Sequence, residues 1–132
     1  MVLMAPHFFN EDICVQSIAR AKAAYEDGQL KPGLEKYHGA NTDVAFYGWN
    51  GAWLDPGFLD WNIEEFLPAI TAPSLILQGA DDEYGTLKQI EAAQQKCGRA
   101  PVTRVFKNCG HSPQRDQPEL VLSAVSSFVA EL

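Results

Sequence analysis

Two polar turns, each following a predicted strand near the C-terminal end of the chain, carry the residues best suited to catalysis. Asp81 and Asp82 follow the apolar segment Ser74–Gln78, and His111 follows the segment Pro101–Phe106. The carboxyl ends of neighbouring parallel strands meet at one edge of a sheet, so we expect a carboxylate and the imidazole to lie within hydrogen-bond distance. A carboxylate bound to one ring nitrogen fixes the tautomer and leaves the other nitrogen as a general base.

The elements that position these turns alternate along the chain. After the strand at Ser74–Gln78, helical periodicity predicts a helix that Thr86 caps and that continues to Cys97, with Leu87 facing inward. The strand Pro101–Phe106 follows, and then a last helix that begins at Pro118. This βαβα order is typical of right-handed crossovers in a parallel sheet. The short apolar segment Val2–Ala5 predicts a third strand. The fold class is therefore α/β, with a parallel sheet.

An aromatic-rich helical stretch separates the first strand from the other two. Its predicted helices cover residues 11–27, 32–38 and 42–54, followed by a helical turn at 64–67 that Pro68 ends. The stretch holds all three tryptophans, Trp49, Trp53 and Trp61. Tryptophans grouped in this way usually pack in a hydrophobic core. The alternative is that they line a pocket for an apolar small molecule. The predicted organisation is one compact unit, with a first strand at 1–7, a helical segment at 8–70 and a βαβα segment at 71–132.

Composition excludes several classes of function. With 132 residues, of which 46% are hydrophobic, the chain is sized for one globular domain. A net charge of -7 without a Lys/Arg cluster argues against nucleic acid and anionic lipid as partners, and no apolar run is long enough for a membrane helix. Three distant cysteines favour a reducing cytoplasm. We expect no metal and no cofactor, because zinc, phosphate-loop and dinucleotide motifs are all missing.

Two segments resemble the α/β-hydrolase family. The sequence P-S-L-I-L-Q-G-A-D-D, ending at Asp82, is similar to the strand and turn that bear the catalytic acid in that family. The sequence N-C-G-H-S-P-Q-R-D-Q-P-E-L-V around His111 is similar to its catalytic-histidine loop. The resemblance covers residues 73–132, with Val2–Pro6 similar to the family's sixth strand and residues 8–70 in the place of its helical cap.

The resemblance implies a fragment of an α/β-hydrolase, namely its three-stranded parallel sheet with a helical cap, and descent from ester or C–C bond hydrolases. By the same resemblance Asp82 is the orienting acid and His111 the base, while Asp81 remains the alternative acid. Glu83 and Tyr84 would lie close by. The helical cap would place the tryptophans over a cavity for an apolar substrate.

The chain departs from the family at the nucleophile. The family carries it on a G-x-S-x-G elbow before the acid, and no such motif occurs here. The serines lie in predicted helices or at the opposite edge of the sheet, except Ser112, which has no elbow. Cys109, two residues before His111, is a poor nucleophile for the same reason. The chain therefore resembles only the C-terminal half of a hydrolase, and we expect no turnover by it alone.

Three hypotheses follow from the sequence. In the first, the chain is derived from a hydrolase, is inactive alone and is completed by another chain. In the second, it is a non-catalytic module for small-molecule binding or assembly. In the third, it is a hydrolase in which Asp82 and His111 activate water directly. The strand at Val2–Ala5 would also leave one edge of the sheet bare. That edge predicts a homodimer or a higher oligomer.

Overall fold

The computed structural model describes residues 1–132 and contains one parallel sheet. Its strands are β1 (Val2–Met4), β2 (Leu75–Gly79) and β3 (Val102–Phe106), in the spatial order β1-β2-β3. In the ladders Leu3 pairs with Ile76, and Leu77 pairs with Arg104. The predicted three-stranded parallel sheet is confirmed. All five residues of β2 are buried, because this strand is central and covered on both faces.

Helices make up most of the remaining chain. The α-helices are α1 (Asp12–Glu26), α2 (Lys31–His38), α3 (Thr42–Trp53), α4 (Lys88–Lys96), α5 (Pro113–Asp116) and α6 (Pro118–Ala130). Short 3-10 segments cover Gly39–Asn41, Pro56–Phe58 and Glu64–Ala69. None of these helices combines the length and apolarity needed to cross a bilayer.

The chain divides into two compact units. Residues 1–9 and 62–132 form a sheet unit, and residues 10–61 form a helical unit that contains α1, α2 and α3. Residues 62–70, which the sequence pattern groups with the helical segment, lie in the sheet unit. Each unit has its own internal contacts.

The sheet unit has an apolar core on each face of β2, because successive strand residues point to opposite faces. Ile76 packs with Ile90 of α4 on one face. Leu77 packs with Val121 and Phe128 of α6 on the other face. Burying one such side chain stabilises the fold by about 1.5–3 kcal/mol, so α4 and α6 are held to the sheet mainly by these contacts.

The helical unit is held by aromatic stacking and buried hydrogen bonds. The rings of Tyr25 and Phe46 stack with their centroids 3.8 Å apart. Buried Asn50 donates from Nδ2 to the Ile18 carbonyl over 3.0 Å, which ties α3 to α1. Burial, together with the hydrogen bond that Tyr25 donates to Asp43, raises the pKa of Tyr25 to about 12.

Two helix predictions were wrong in detail. Pro68 does not end the helical turn but lies inside the 3-10 segment Glu64–Ala69. Proline has no backbone N–H to donate, and a segment this short has few backbone hydrogen bonds that such a loss could break. The hydroxyl of Thr86 accepts the Lys88 N–H, as expected of a residue that caps the fourth helix, and the regular helix begins at Lys88. Leu87 therefore precedes the regular helix and is exposed, although it was predicted to face inward.

Candidate active site

The carboxyl ends of β2 and β3 approach each other backbone to backbone. β2 ends at Gly79, where a Cβ atom would lie only 2.0 Å from the Cys109 carbonyl oxygen in the loop after β3. The Asp81 amide donates to that same oxygen over 3.0 Å. Glycine at this position therefore lets the acid turn (residues 80–85, after β2) touch the histidine loop (residues 107–112, after β3), as the parallel order of the strands predicts.

Asp82 and His111 meet where these turns touch. His111 Nδ1 lies 3.0 Å from Oδ1 and 3.1 Å from Oδ2 of Asp82. An ionised carboxylate only accepts hydrogen bonds, so Nδ1 carries the hydrogen and Nε2 of the neutral ring keeps its lone pair. The His111 side chain is 34% exposed, whereas that of Asp82 is 2% exposed. This geometry suits a proton acceptor at Nε2; the catalytic role of the pair stays a prediction.

Asp82 is held ionised by its hydrogen bonds. Burial on its own would raise the pKa of this carboxyl, but the contacts with His111 and with the backbone amides of Tyr84 and Gly85 outweigh burial and lower the pKa below its ordinary value. The two amides donate to Oδ1 over 2.9 and 3.2 Å. Asp81, the alternative acid, is exposed and reaches the histidine loop only through its backbone amide.

The side chain of buried Gln78 binds the acid turn through hydrogen bonds, and Gln78 was not among the residues predicted from the sequence. Its Nε2 donates to the Gly85 carbonyl over 2.9 Å and lies 3.4 Å from Oδ2 of Asp82. The available signal was a polar residue at the end of an otherwise apolar, fully buried strand. Such a side chain needs partners inside the protein, and here they belong to the acid turn.

Two aromatic rings flank the imidazole of His111. The ring centroid of Tyr84 is 4.9 Å away and that of His7 is 5.6 Å away. The resemblance implied that Tyr84 lies near the site, but His7 was not among the predicted site residues. Its position just after β1, at the same edge of the sheet, was the usable signal. His7 also packs on Gly85, where a Cβ atom would lie 3.2 Å from its Cε1.

The three tryptophans do not form one group. Trp53 lies 5.6 Å from Trp61 between ring centroids, and Phe58 stacks on Trp61 at 5.3 Å. Trp49 instead packs edge-on against Phe46 at 5.8 Å. The helical unit therefore holds an aromatic cluster of Trp53, Phe58 and Trp61, with Trp49 in a separate group. A binding role for any of them stays a prediction.

Cys109 and Ser112, which lie on either side of His111 in the sequence, are the remaining nucleophile candidates near the site. Cys109 is buried, and burial together with the carboxylates of Asp116, Asp82 and Asp81 raises the pKa of its thiol, which favours the unreactive protonated form. The Ser112 carbonyl accepts the Arg115 amide over 2.8 Å, and Ser112 directly precedes α5. No group of three or more His, Cys, Asp or Glu side chains is placed to hold a metal ion.

Solved structures identify the fold. A serine hydrolase involved in carbazole degradation matches 99% of this chain with a TM-score of 0.70 and 18% identity. NosK from Streptomyces actuosus matches 96% of it with a TM-score of 0.69 and 24% identity. MGS-M2, an α/β-hydrolase enzyme from a Medee basin deep-sea metagenome library, matches 98% with a TM-score of 0.63 and 16% identity. The chain has an α/β-hydrolase fold.

The chain spans only about half the length of those proteins, since the matches cover 54%, 56% and 55% of them. No protein-family model and no curated protein matches the chain by sequence. The likeness therefore concerns the fold, and the activity of this chain has to be argued from its own residues.

Proposed function

We propose that this chain carries the acid–histidine part of a hydrolase active site, with His111 as the general base and Asp82 as the acid that orients it. The observation behind the proposal is the contact of His111 Nδ1 with both oxygens of Asp82, at 3.0 and 3.1 Å. It lies at the carboxyl ends of two neighbouring strands, which is where open parallel sheets place their ligands. The substrate class we propose is an ester or another activated carbonyl compound.

In the proposed reaction, an attacking hydroxyl gives its proton to Nε2 of His111 while its oxygen bonds to the substrate carbonyl carbon. The imidazolium then returns this proton to the leaving group as the carbonyl re-forms, and Asp82 stays ionised throughout. The 132 residues contain no G-x-S-x-G sequence. We therefore place the nucleophile and the oxyanion donors on polypeptide outside them, either in the same protein or on another chain.

The test compares the chain alone with the chain supplied with an elbow. Alone, it should hydrolyse p-nitrophenyl butyrate no faster than its His111→Ala variant, since missing nucleophile and oxyanion donors each cost orders of magnitude in rate. An in-frame G-x-S-x-G segment upstream in the gene, or a partner chain that carries one, should restore turnover. That turnover should fall by roughly 10³-fold or more in His111→Ala. Turnover unaffected by His111→Ala and Asp82→Asn would refute the proposal.

A second candidate function is non-catalytic binding of an apolar small molecule. The observation that favours it is the half-buried aromatic cluster of Trp53, Phe58 and Trp61 in the helical unit. Stacked rings that remain accessible offer apolar contact surface to a ligand. Quenching of tryptophan fluorescence by apolar esters or acids, lost in Trp61→Ala and unaccompanied by turnover under any of the conditions above, would support this candidate over the first.

A further inference from the structure

We propose that Glu83 is a positioning residue for His111, an inference that rests on the proposed function of the acid–histidine pair. Oε2 of Glu83 accepts the backbone N–H of His111 over 3.2 Å. Asp82, its neighbour in the chain, binds the ring of the same histidine. Two successive carboxylates of one turn thus hold His111 at two points, the backbone and the imidazole.

Glycine at position 110 is what allows this arrangement. A Cβ atom on Gly110 would lie 2.9 Å from Oε2 of Glu83 and 3.4 Å from Oδ2 of Asp116. The Gly110 amide donates to Asp116 Oδ2 over 2.8 Å. Consecutive amides, those of Gly110 and His111, are therefore each bound by a carboxylate, and these two carboxylates come from different elements.

The histidine loop needs such support because its backbone is irregular. Asn108 has a positive φ of 51°, and Gly110 and His111 lie outside any helix or strand. Where Nε2 lies depends on the His111 backbone as well as on its ring torsions, and a displacement of about 1 Å in a catalytic group can lower a rate about 10²-fold. Hydrogen bonds from amides to an ionised acceptor are stronger than those to neutral acceptors. Glu83 therefore sets where the base lies, and Asp82 sets how its ring is turned.

Nuclear magnetic resonance of the 132-residue chain tests this without any nucleophile. Glu83→Ala should accelerate hydrogen exchange of the His111 amide about tenfold, since a hydrogen bond to a charged group is lost. It should also broaden or shift the Nδ1–H proton signal of His111. Glu83→Gln keeps an oxygen acceptor and should restore both signals. The matched control is Asp81→Ala, which removes the same charge from an exposed side chain of the same turn.

Two results would overturn the inference. One is a Glu83→Ala variant whose His111 amide exchange and Nδ1–H signal equal those of the parent. The other is an Asp81→Ala variant with the same effects, which would show that any charge in the turn suffices. If Glu83→Ala does not fold, Glu83→Asp, which is one methylene shorter, should show the faster exchange. Hydrolysis plays no part in these measurements. The inference about Glu83 can therefore be tested even if the proposed catalytic role of His111 proves wrong.

Discussion

The protonation state of Asp82 is decided by a competition between burial and hydrogen bonding. Burial favours the neutral carboxyl, and three N–H donors in the acid turn and the histidine loop favour the charged form. The donors prevail, so an acceptor-only carboxylate faces Nδ1 of His111. A neutral carboxyl would compete as a donor, and Nε2 would no longer be the defined site of proton uptake.

This competition predicts a pH dependence of stability. The folded pKa of Asp82 lies below its unfolded value of about 3.9, so its stabilising contribution is complete above that pH and is lost as pH falls through the folded pKa. Asp82→Asn should therefore lower the free energy of unfolding at pH 7, and the difference from the parent should shrink in acid. Urea titrations of the parent and the variant at pH 7 and pH 3 measure this difference in the free energy of unfolding. Exposed Asp81→Asn is the control, and an equal loss there would contradict the explanation.

Because the acid turn and the histidine loop touch at Gly79, we expect one methyl group added there to lower the stability of the fold. Gly79→Ala would place Cβ 2.0 Å from the Cys109 carbonyl oxygen, a backbone atom that cannot rotate away. Overpacking of this kind costs about 1–3 kcal/mol in the free energy of unfolding. The same variant should disturb the Nδ1–H signal of His111. Gly33→Ala adds its methyl group to open space in α2, where alanine is also the better helix former, so it should not lower the free energy of unfolding. Equal stability of both variants would contradict this account.

Strand β2 organises the sheet unit because helices cover both of its faces. Leu77 is fully buried against α6, whereas Leu122 on the same helix is 68% exposed. Leu77→Ala should lower the free energy of unfolding by about 2–5 kcal/mol, through lost burial and the cavity left behind. Leu122→Ala should change it by less than about 0.5 kcal/mol. Denaturant titrations compare the two, and a similar cost for both would show that α6 does not dock as described.

The sheet ends in two open edges, β1 and β3. In a parallel ladder alternate residues bind the neighbouring strand, and the Met1 carbonyl and the Ala5 amide bind β2. The N–H of Met4 therefore points away from β2, toward the open edge. An open edge of this kind is a template for pairing with another chain.

We therefore propose that the isolated chain self-associates through β1. Light scattering at micromolar concentration should show a homodimer or higher oligomer, and added salt should favour it because each copy carries a net charge of -7. Met4→Pro removes an outward N–H and should yield a monomer, while Met4→Ala should associate as the parent does. A monomeric parent would defeat the proposal, and so would an associated Met4→Pro variant.

Local patterns in the sequence were enough to predict the sheet and the central contact of the site. The apolar strand before Asp82, the strand before His111 and the helix between them require a parallel arrangement, and parallel strands carry their following turns to one edge. That rule predicts a carboxylate of Asp81 or Asp82 beside His111, and the resemblance to the α/β-hydrolase family implied that it is Asp82. The exposed side chain of Asp81 and the buried one of Asp82 could not be told apart by periodicity, because adjacent residues in a turn have no regular alternation.

Tertiary structure alone decided the contacts made between distant segments. His7 lies beside His111 because β1 pairs with β2 across more than seventy residues of sequence, a pairing whose register no local pattern records. The separation of Trp49 from Trp53 and Trp61 depends on ring packing within the helical unit. The support that Glu83 gives His111 depends on the close approach of two loops. Sequence periodicity reports which face of an element is buried; which side chains then meet is determined by packing in three dimensions.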